Sequence, residues 1–135
     1  MEPQATLVSR KKNTAVKLAK NAKILKTIIR ALQEKKGEKI VALDLRKIHE
    51  SVADFFIICE ATSTTQVKAL AGLVEDKVKK ECGENPFHHE GFEAVHWIII
   101  DYINVVVHIM LPETRKFYGL EELWNDAPLT AFNEG

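Results

Sequence analysis

Cysteine is scarce, with Cys59 inside an apolar run and Cys82 near a predicted helix end. That scarcity excludes a disulfide framework and leaves two reduced, structural thiols. Long apolar runs are missing too: none approaches the ~18 residues of a membrane span. The N-terminal region lacks the apolar block and small-residue cleavage site of a secretory signal. The expectation is a cytoplasmic address with no membrane contact. Glycine is thin and scattered, at positions 37, 72, 83, 91, 119 and 135. A phosphate-cradling loop needs clustered glycines so that backbone amides can approach the anion, so neither a P-loop nor a dinucleotide fingerprint is present. There is no internal repeat and no low-complexity block.

What is present is enough for one domain: 135 residues, 46% hydrophobic and 28% charged, can bury a core without metal or disulfide. The formal net charge of zero conceals a division. Residues 1–36 carry ten Lys or Arg and two Glu, whereas residues 37–135 carry nine and seventeen acids, a net plus eight against minus eight. A basic arm of this kind either contacts RNA phosphate through counterion release or is a solvated helix face.

Residues 1–14 lack apolar periodicity and read as a tail. From Val16 onward Leu18, Ala22, Leu25, Ile28, Ile29 and Leu32 recur at helical steps, and Gly37 closes the pattern. Lys39–Leu45 and Asp54–Ala61 read as strands, the second buried on both faces. Ser63 or Thr64 caps a helix whose stripe is Val67, Leu70, Ala71, Val74 and Val78 and whose stop is Gly83. Ala94–Asp101 and Asn104–Leu111 form a hairpin. Pro112 opens a short helical piece through Tyr118, Leu120–Trp124 a second, and Ala127–Gly135 reads as a loose tail. The expected fold is α/β: a mixed β-sheet flanked by helices, with a right-handed crossover between Phe55 and Ile100 if those strands are parallel.

Alternation along a strand sorts the hairpin into two faces. His96, Ile98, Ile100, Val105, Val107 and Ile109 suit a helix-covered core. Val95, Trp97, Ile99, Asp101, Asn104, Val106, His108 and Met110 mix aromatic, aliphatic, soft and polar groups. That face is either a partner surface built around an aromatic anchor or a face covered by another helix of the same chain.

Chemistry-bearing clusters are weak. His88, His89 and Glu90 are adjacent and His96 and His108 lie on neighbouring strands, but metal-ligand spacing is lacking. No nucleophile-elbow pattern surrounds Ser51, Ser63, Cys59 or Cys82. Asp44 and Asp54 are the carboxylates that a metal-using enzyme would want, although a turn-making role fits Asp54 better. No catalytic residue, metal site or cofactor is expected.

An ordered set of residues nevertheless carries a resemblance. Val41 to Asp44, Ser51, Ala53-Asp54-Phe55-Phe56-Ile57-Ile58, Thr62-Ser63, Gln66-Val67 and Glu90-Gly91 come first. Trp97, Asp101-Tyr102, Val105-Val106-Val107-His108, Arg115, Tyr118, Leu120-Glu121, Leu123-Trp124 and Asp126-Ala127 follow. From Leu25 to Ala127 the chain resembles the Iojap family, the ribosomal silencing factors. The resemblance implies a nucleotidyltransferase-like α/β fold without the catalytic motif, hence no enzyme activity. It implies attachment to the large ribosomal subunit through ribosomal protein L-fourteen, steric blocking of subunit joining, and translational repression. It places the partner surface on Trp97, Ile99, Asp101, Tyr102, Asn104, Val106, His108 and Met110.

Two positions depart from the family pattern. Thr65 stands where Arg is usual and cannot supply a bidentate fork. Ile103-Asn104 replaces a Gly-Asp turn, where Asn104 is expected to take the left-handed position because a β-branched side chain resists it. The expected organisation is a basic arm over 1–23, a ribosomal silencing factor domain over 24–127 and a tail over 128–135. Ribosomal RNA contact by the arm, and a homodimer of the free protein through the apolar hairpin, are further expectations. The alternatives are a nucleotide-handling enzyme of related fold and a general RNA-binding protein using the basic arm.

Overall fold

The structure is a computed structural model that describes residues 18–20, 22–48 and 51–133. The N-terminal tail and the first turn expected at Val16 lie outside the described residues. The elements, in chain order, are α1 (Lys23–Glu34), β1 (Glu38–Asp44), β2 (Phe55–Glu60), α2 (Thr64–Cys82), β3 (His88–Glu90), β4 (Trp97–Asp101), β5 (Val105–Met110), α3 (Pro112–Tyr118), α4 (Leu120–Leu123) and β6 (Leu129–Phe132). The strands form one mixed sheet in the order β3-β4-β5-β2-β1-β6. Only β2 and β5 run parallel, with Phe55 opposite Val105 and Ile58 opposite His108. The parallel partner reached from β2 is therefore β5; β4 lies antiparallel on its far side.

The mixed α/β architecture agrees with the sequence pattern, and so do the ends of α2. The Ser63 side chain accepts the Gln66 N–H at 3.1 Å, satisfying one free amide of the first turn, and Gly83 closes the helix at φ 69. Its buried stripe is Val67, Leu70, Ala71, Val74 and Val78. α1 presents Ile24, Leu25, Ile28, Ala31 and Leu32 to the same layer. Its end differs from expectation. The left-handed residue is Lys36, φ 63, and the Gly37 N–H reaches back to Leu32 O at 2.8 Å, a Schellman ending displaced by one residue. Gly37 is needed for space instead, because a Cβ there would lie 2.5 Å from Cys59 Sγ.

Two cores result. The helix-side core joins α1 and α2 to Phe55, Ile57, Cys59, Ile98, Ile100, Val105, Val107 and Ile109. The second lies on the other face, where Phe56, Ile58, Trp97, Ile99, Val106 and Met110 meet Leu45, Ala53, Leu120 and Ala127. The face expected as an open surface is thus covered by the β1–β2 connection and the C-terminal segment.

Three further expectations change. Residues 128–135 are not simply a tail, since Leu129–Phe132 pairs antiparallel with β1, Ile40 opposite Phe132. His88–Glu90, considered above only as a possible ligand cluster, forms β3 and pairs with β4, Glu90 opposite Ile99. The hairpin turn places Ile103, not Asn104, at positive φ, 73°. Asn104 is not available to turn: its carbonyl accepts from Asp54 N–H (2.8 Å) and Phe55 N–H (3.0 Å), and its amide donates to Asp54 Oδ2 at 2.7 Å. The strained conformation falls on Ile103, whose N–H is held by Asp101 Oδ1 at 2.8 Å.

Candidate partner-binding face

The hairpin faces sort as parity predicts from Trp97 to Met110, but the proposed contact residues are buried. Ile99, Val106, His108 and Met110 have no exposure and Trp97 retains 7%. Asp101 is buried at the turn, and Tyr102 points to the helix-side core. Asn104 is half-buried on Asp54. Val95 and His96 precede the strand: Val95, φ 60, packs toward the helices, and His96 is exposed. Of the expected contact residues, Trp97 keeps a thin exposed rim and Asn104 is half-buried, while the rest are buried in the folded chain. The hairpin is also internal to the sheet, with β4 paired to β3 and β5 to β2, so it has no free edge on which two copies could pair.

Trp97 is oriented from below. Its indole Nε1–H donates to His108 Nδ1 at 3.1 Å, which fixes the neutral imidazole with its proton on Nε2. Burial without a charged partner pushes the His108 pKa down to about 3, and Phe56 packs on the ring at 4.6 Å between centroids. Sideways, Trp97 meets Tyr118 at 4.7 Å, and Tyr118 meets Phe117 edge-on at 5.0 Å. This ridge runs from the buried anchor to open surface. Phe117 is 81% exposed, Leu123 63% and Tyr118 41%. Phe117 was missed, and Tyr118 and Leu123, although part of the family motif, were not assigned to the partner surface, because α3 and α4 are too short to show an amphipathic period. The available signal was the pair Phe117-Tyr118 beside a helix-stopping glycine.

Arg115 locks the ridge to the sheet. Its guanidinium forks onto Glu121 at 3.1 and 2.9 Å and also donates to Lys39 O at 2.8 Å and Glu60 Oε1 at 3.2 Å. One buried cation so joins α3, α4, β1 and β2.

The residues considered for chemistry are engaged elsewhere. Asp44 is held in a fork by Arg46, at 2.9 and 2.7 Å, which keeps its carboxyl below the ordinary range. Asp54 Oδ2 accepts from Leu18 N–H and Asn104 Nδ2. His89 pairs with Glu75 at 2.6 Å and His88 with Glu90 at 3.4 Å. Cys59 is buried and its thiol is pushed up to about 12 by desolvation. Among the described residues no three His, Cys, Asp or Glu gather as a metal site, and no helix is long and apolar enough to cross a membrane.

Fold and face together define a mixed α/β domain with its exposed aromatic groups concentrated beside one hairpin, the make-up of a binding protein. Residues 18–134 match the family described as "Ribosomal silencing factor during starvation". The chain belongs to this ribosomal silencing factor family. It is 41% identical over 108 residues to the ribosomal silencing factor RsfS of Halalkalibacterium halodurans, covering 80% of this chain and 91% of that one. With the Bacillus subtilis protein of the same name it shares 40% over 112 residues, covering 83% and 93%. A mouse protein named for mitochondrial assembly of the ribosomal large subunit is 38% identical over 73 residues, 53% of this chain and 32% of that one. Among solved structures, one from Chromobacterium violaceum superposes with a TM-score of 0.71 at 41% identity, covering 76% of this chain and 83% of that one. One from Bacillus halodurans gives 0.70 at 38%, covering 83% and 100%.

Proposed function

We propose that this chain is a translational regulator that attaches to the large ribosomal subunit and acts by bulk, not catalysis. In this reading it docks on ribosomal protein L-fourteen, obstructs small-subunit joining and represses translation, in the cytoplasm. Family membership supports a ribosomal role. The observation that carries the docking face is the continuity from Trp97 through Tyr118 to Phe117, the last 81% exposed. A contiguous exposed aromatic ridge is a usual mark of a protein-binding site. Trp97 meets the partner only by its rim, Ile99, Val106, His108 and Met110 support it from beneath, and Asp101, Tyr102 and Asn104 shape the hairpin tip.

The exposed cations Lys20, Lys23, Lys26 and Arg30, along α1 and just before it, favour an added contact with ribosomal RNA phosphate. Such a contact would weaken with salt.

Trp97→Ala is a poor test, because removing a buried ring damages the fold. The double substitution Phe117→Ser, Leu123→Ser removes exposed groups only. Its melting temperature should stay within a few degrees of the parent, while co-sedimentation with purified large subunits weakens at least ~10-fold. A folded double variant that co-sediments like the parent would overturn this docking face.

A further inference from the structure

Beside the ridge lies a cavity of about 420 Å³ between β3, β4 and α3, walled by Trp97 and Tyr118 and bordered by Glu90, Gly91, Ala94, His96 and Thr114. We propose that it is a socket for an arginine side chain of the protein that docks on the ridge, an inference that rests on the docking reading above. Its construction is specific. Gly91 adopts φ 94, and a Cβ there would stand 2.0 Å from the Trp97 carbonyl oxygen, so bare backbone borders the space. The Trp97 and Tyr118 rings lie 4.7 Å apart, inclined at 53°; Tyr118, 41% exposed, offers the open aromatic surface and Trp97 its rim. Glu90 supplies the charge: its side chain is only 12% exposed, with His88 Nε2 3.4 Å away. That neighbour faces Oε1, which is buried and accepts no hydrogen bond from it.

The chemistry of the guest follows from these groups. A carboxylate withdrawn from water without a hydrogen bond disfavours an anion or an apolar side chain and favours a donor cation. Aromatic faces also attract a cation, most strongly when water is excluded. The basic side chain on the cavity wall is His96, and no lysine or arginine lines it. Between the two protein cations, arginine fits better. Its planar guanidinium stacks on a ring while donating two bonds to one carboxylate, whereas an ammonium is a compact, strongly hydrated charge. The guest belongs to a protein partner because Tyr118, which walls the cavity, continues into the exposed Phe117. A surface seated there closes the mouth and strengthens the pair inside.

The test uses the full chain and purified large subunits. Glu90→Gln keeps shape and removes charge, and Ala94→Arg, at an exposed position on the rim, supplies a competing guanidinium from the protein itself. Each should weaken large-subunit binding at least ~10-fold while melting like the parent. Unchanged binding by folded Glu90→Gln and Ala94→Arg, with binding still lost in Phe117→Ser, Leu123→Ser, overturns the socket and leaves the docking face standing. Should all three variants bind like the parent, the docking face has failed, and a titration of the free chain with blocked arginine decides the cavity. Shifts of the Trp97 and Tyr118 resonances with N-acetylarginine methylamide, absent in Glu90→Gln and absent with the citrulline analogue, support it. No shift with the arginine compound overturns it.

Discussion

Lowering the pH from about 7 to about 4.5 protonates a histidine in the unfolded chain, where its pKa is about 6.5. His108 in the folded chain stays neutral, because complete burial holds its pKa at about 3. The folded value lies below the unfolded one, so the unfolded state binds the extra proton. Stability is full above about pH 6.5 and declines as the pH falls toward the folded pKa. At about pH 4.5 the deficit from this one group is two pH units at about 1.36 kcal/mol each, or about 2.7 kcal/mol. His108→Gln isolates the term: it keeps an acceptor for Trp97 Nε1–H, now at 3.1 Å from His108 Nδ1, and does not titrate. Urea unfolding of parent and variant, followed by circular dichroism at matched pH values, gives two stability curves. Other titrating groups, Asp44 among them, contribute to both and cancel in the difference. The variant should be less sensitive to acid by about 2.7 kcal/mol over this range. Curves that run parallel would refute the assignment of a neutral, desolvated imidazole beneath Trp97.

Arg115→Met removes a guanidinium that is 10% exposed and strands Glu60, 8% exposed, without its cation. The expected cost is about 3–5 kcal/mol in urea unfolding, and adding Glu60→Gln should restore part of it by removing the stranded charge. Gly91→Ala meets both an unfavourable φ of 94° and a 2.0 Å clash with the Trp97 carbonyl. It should lower stability by at least about 1–3 kcal/mol and shift the amide resonances of β3 and β4, whereas Gly72→Ala, where nothing lies within 4 Å, should be neutral or slightly stabilising.

Much of this fold could be read from local pattern. Ser63, the stripe from Val67 to Val78 and Gly83 specify α2 within one stretch of chain, and the all-buried run of β2 announces a central strand. What escaped depends on distant partners. β3 has three residues and β6 four, too few to show alternation, and each is a strand only because a neighbour supplies the other half of its ladder. The hairpin's second face reads as a docking surface because its Trp, His and Met mixture is unusual for a core. Its cover comes from Leu45, Ala53, Leu120 and Ala127, which no short-range period links to it. The turn illustrates the same limit. Intrinsic preference favours Asn104 at positive φ, but its bonds to Asp54, far earlier in the chain, override that preference and move the strain to Ile103. Of the candidate site, Trp97 and Tyr118 were legible within the family motif. Leu123 stood in that motif too, but its exposure, and Phe117 altogether, became visible only once the sheet had placed them on the outside.

The pairing of β6 with β1 has a consequence for how the protein is made. Leu43 waits for Leu129 and Ile40 for Phe132, so during synthesis β1 has one bare edge until β6 has cleared the exit tunnel. A nascent chain halted after α4 would carry four helices and five strands yet expose a row of unpaired amides and carbonyls along β1. A chain cut before Leu129 would therefore be an aggregation-prone species, not a merely shortened domain.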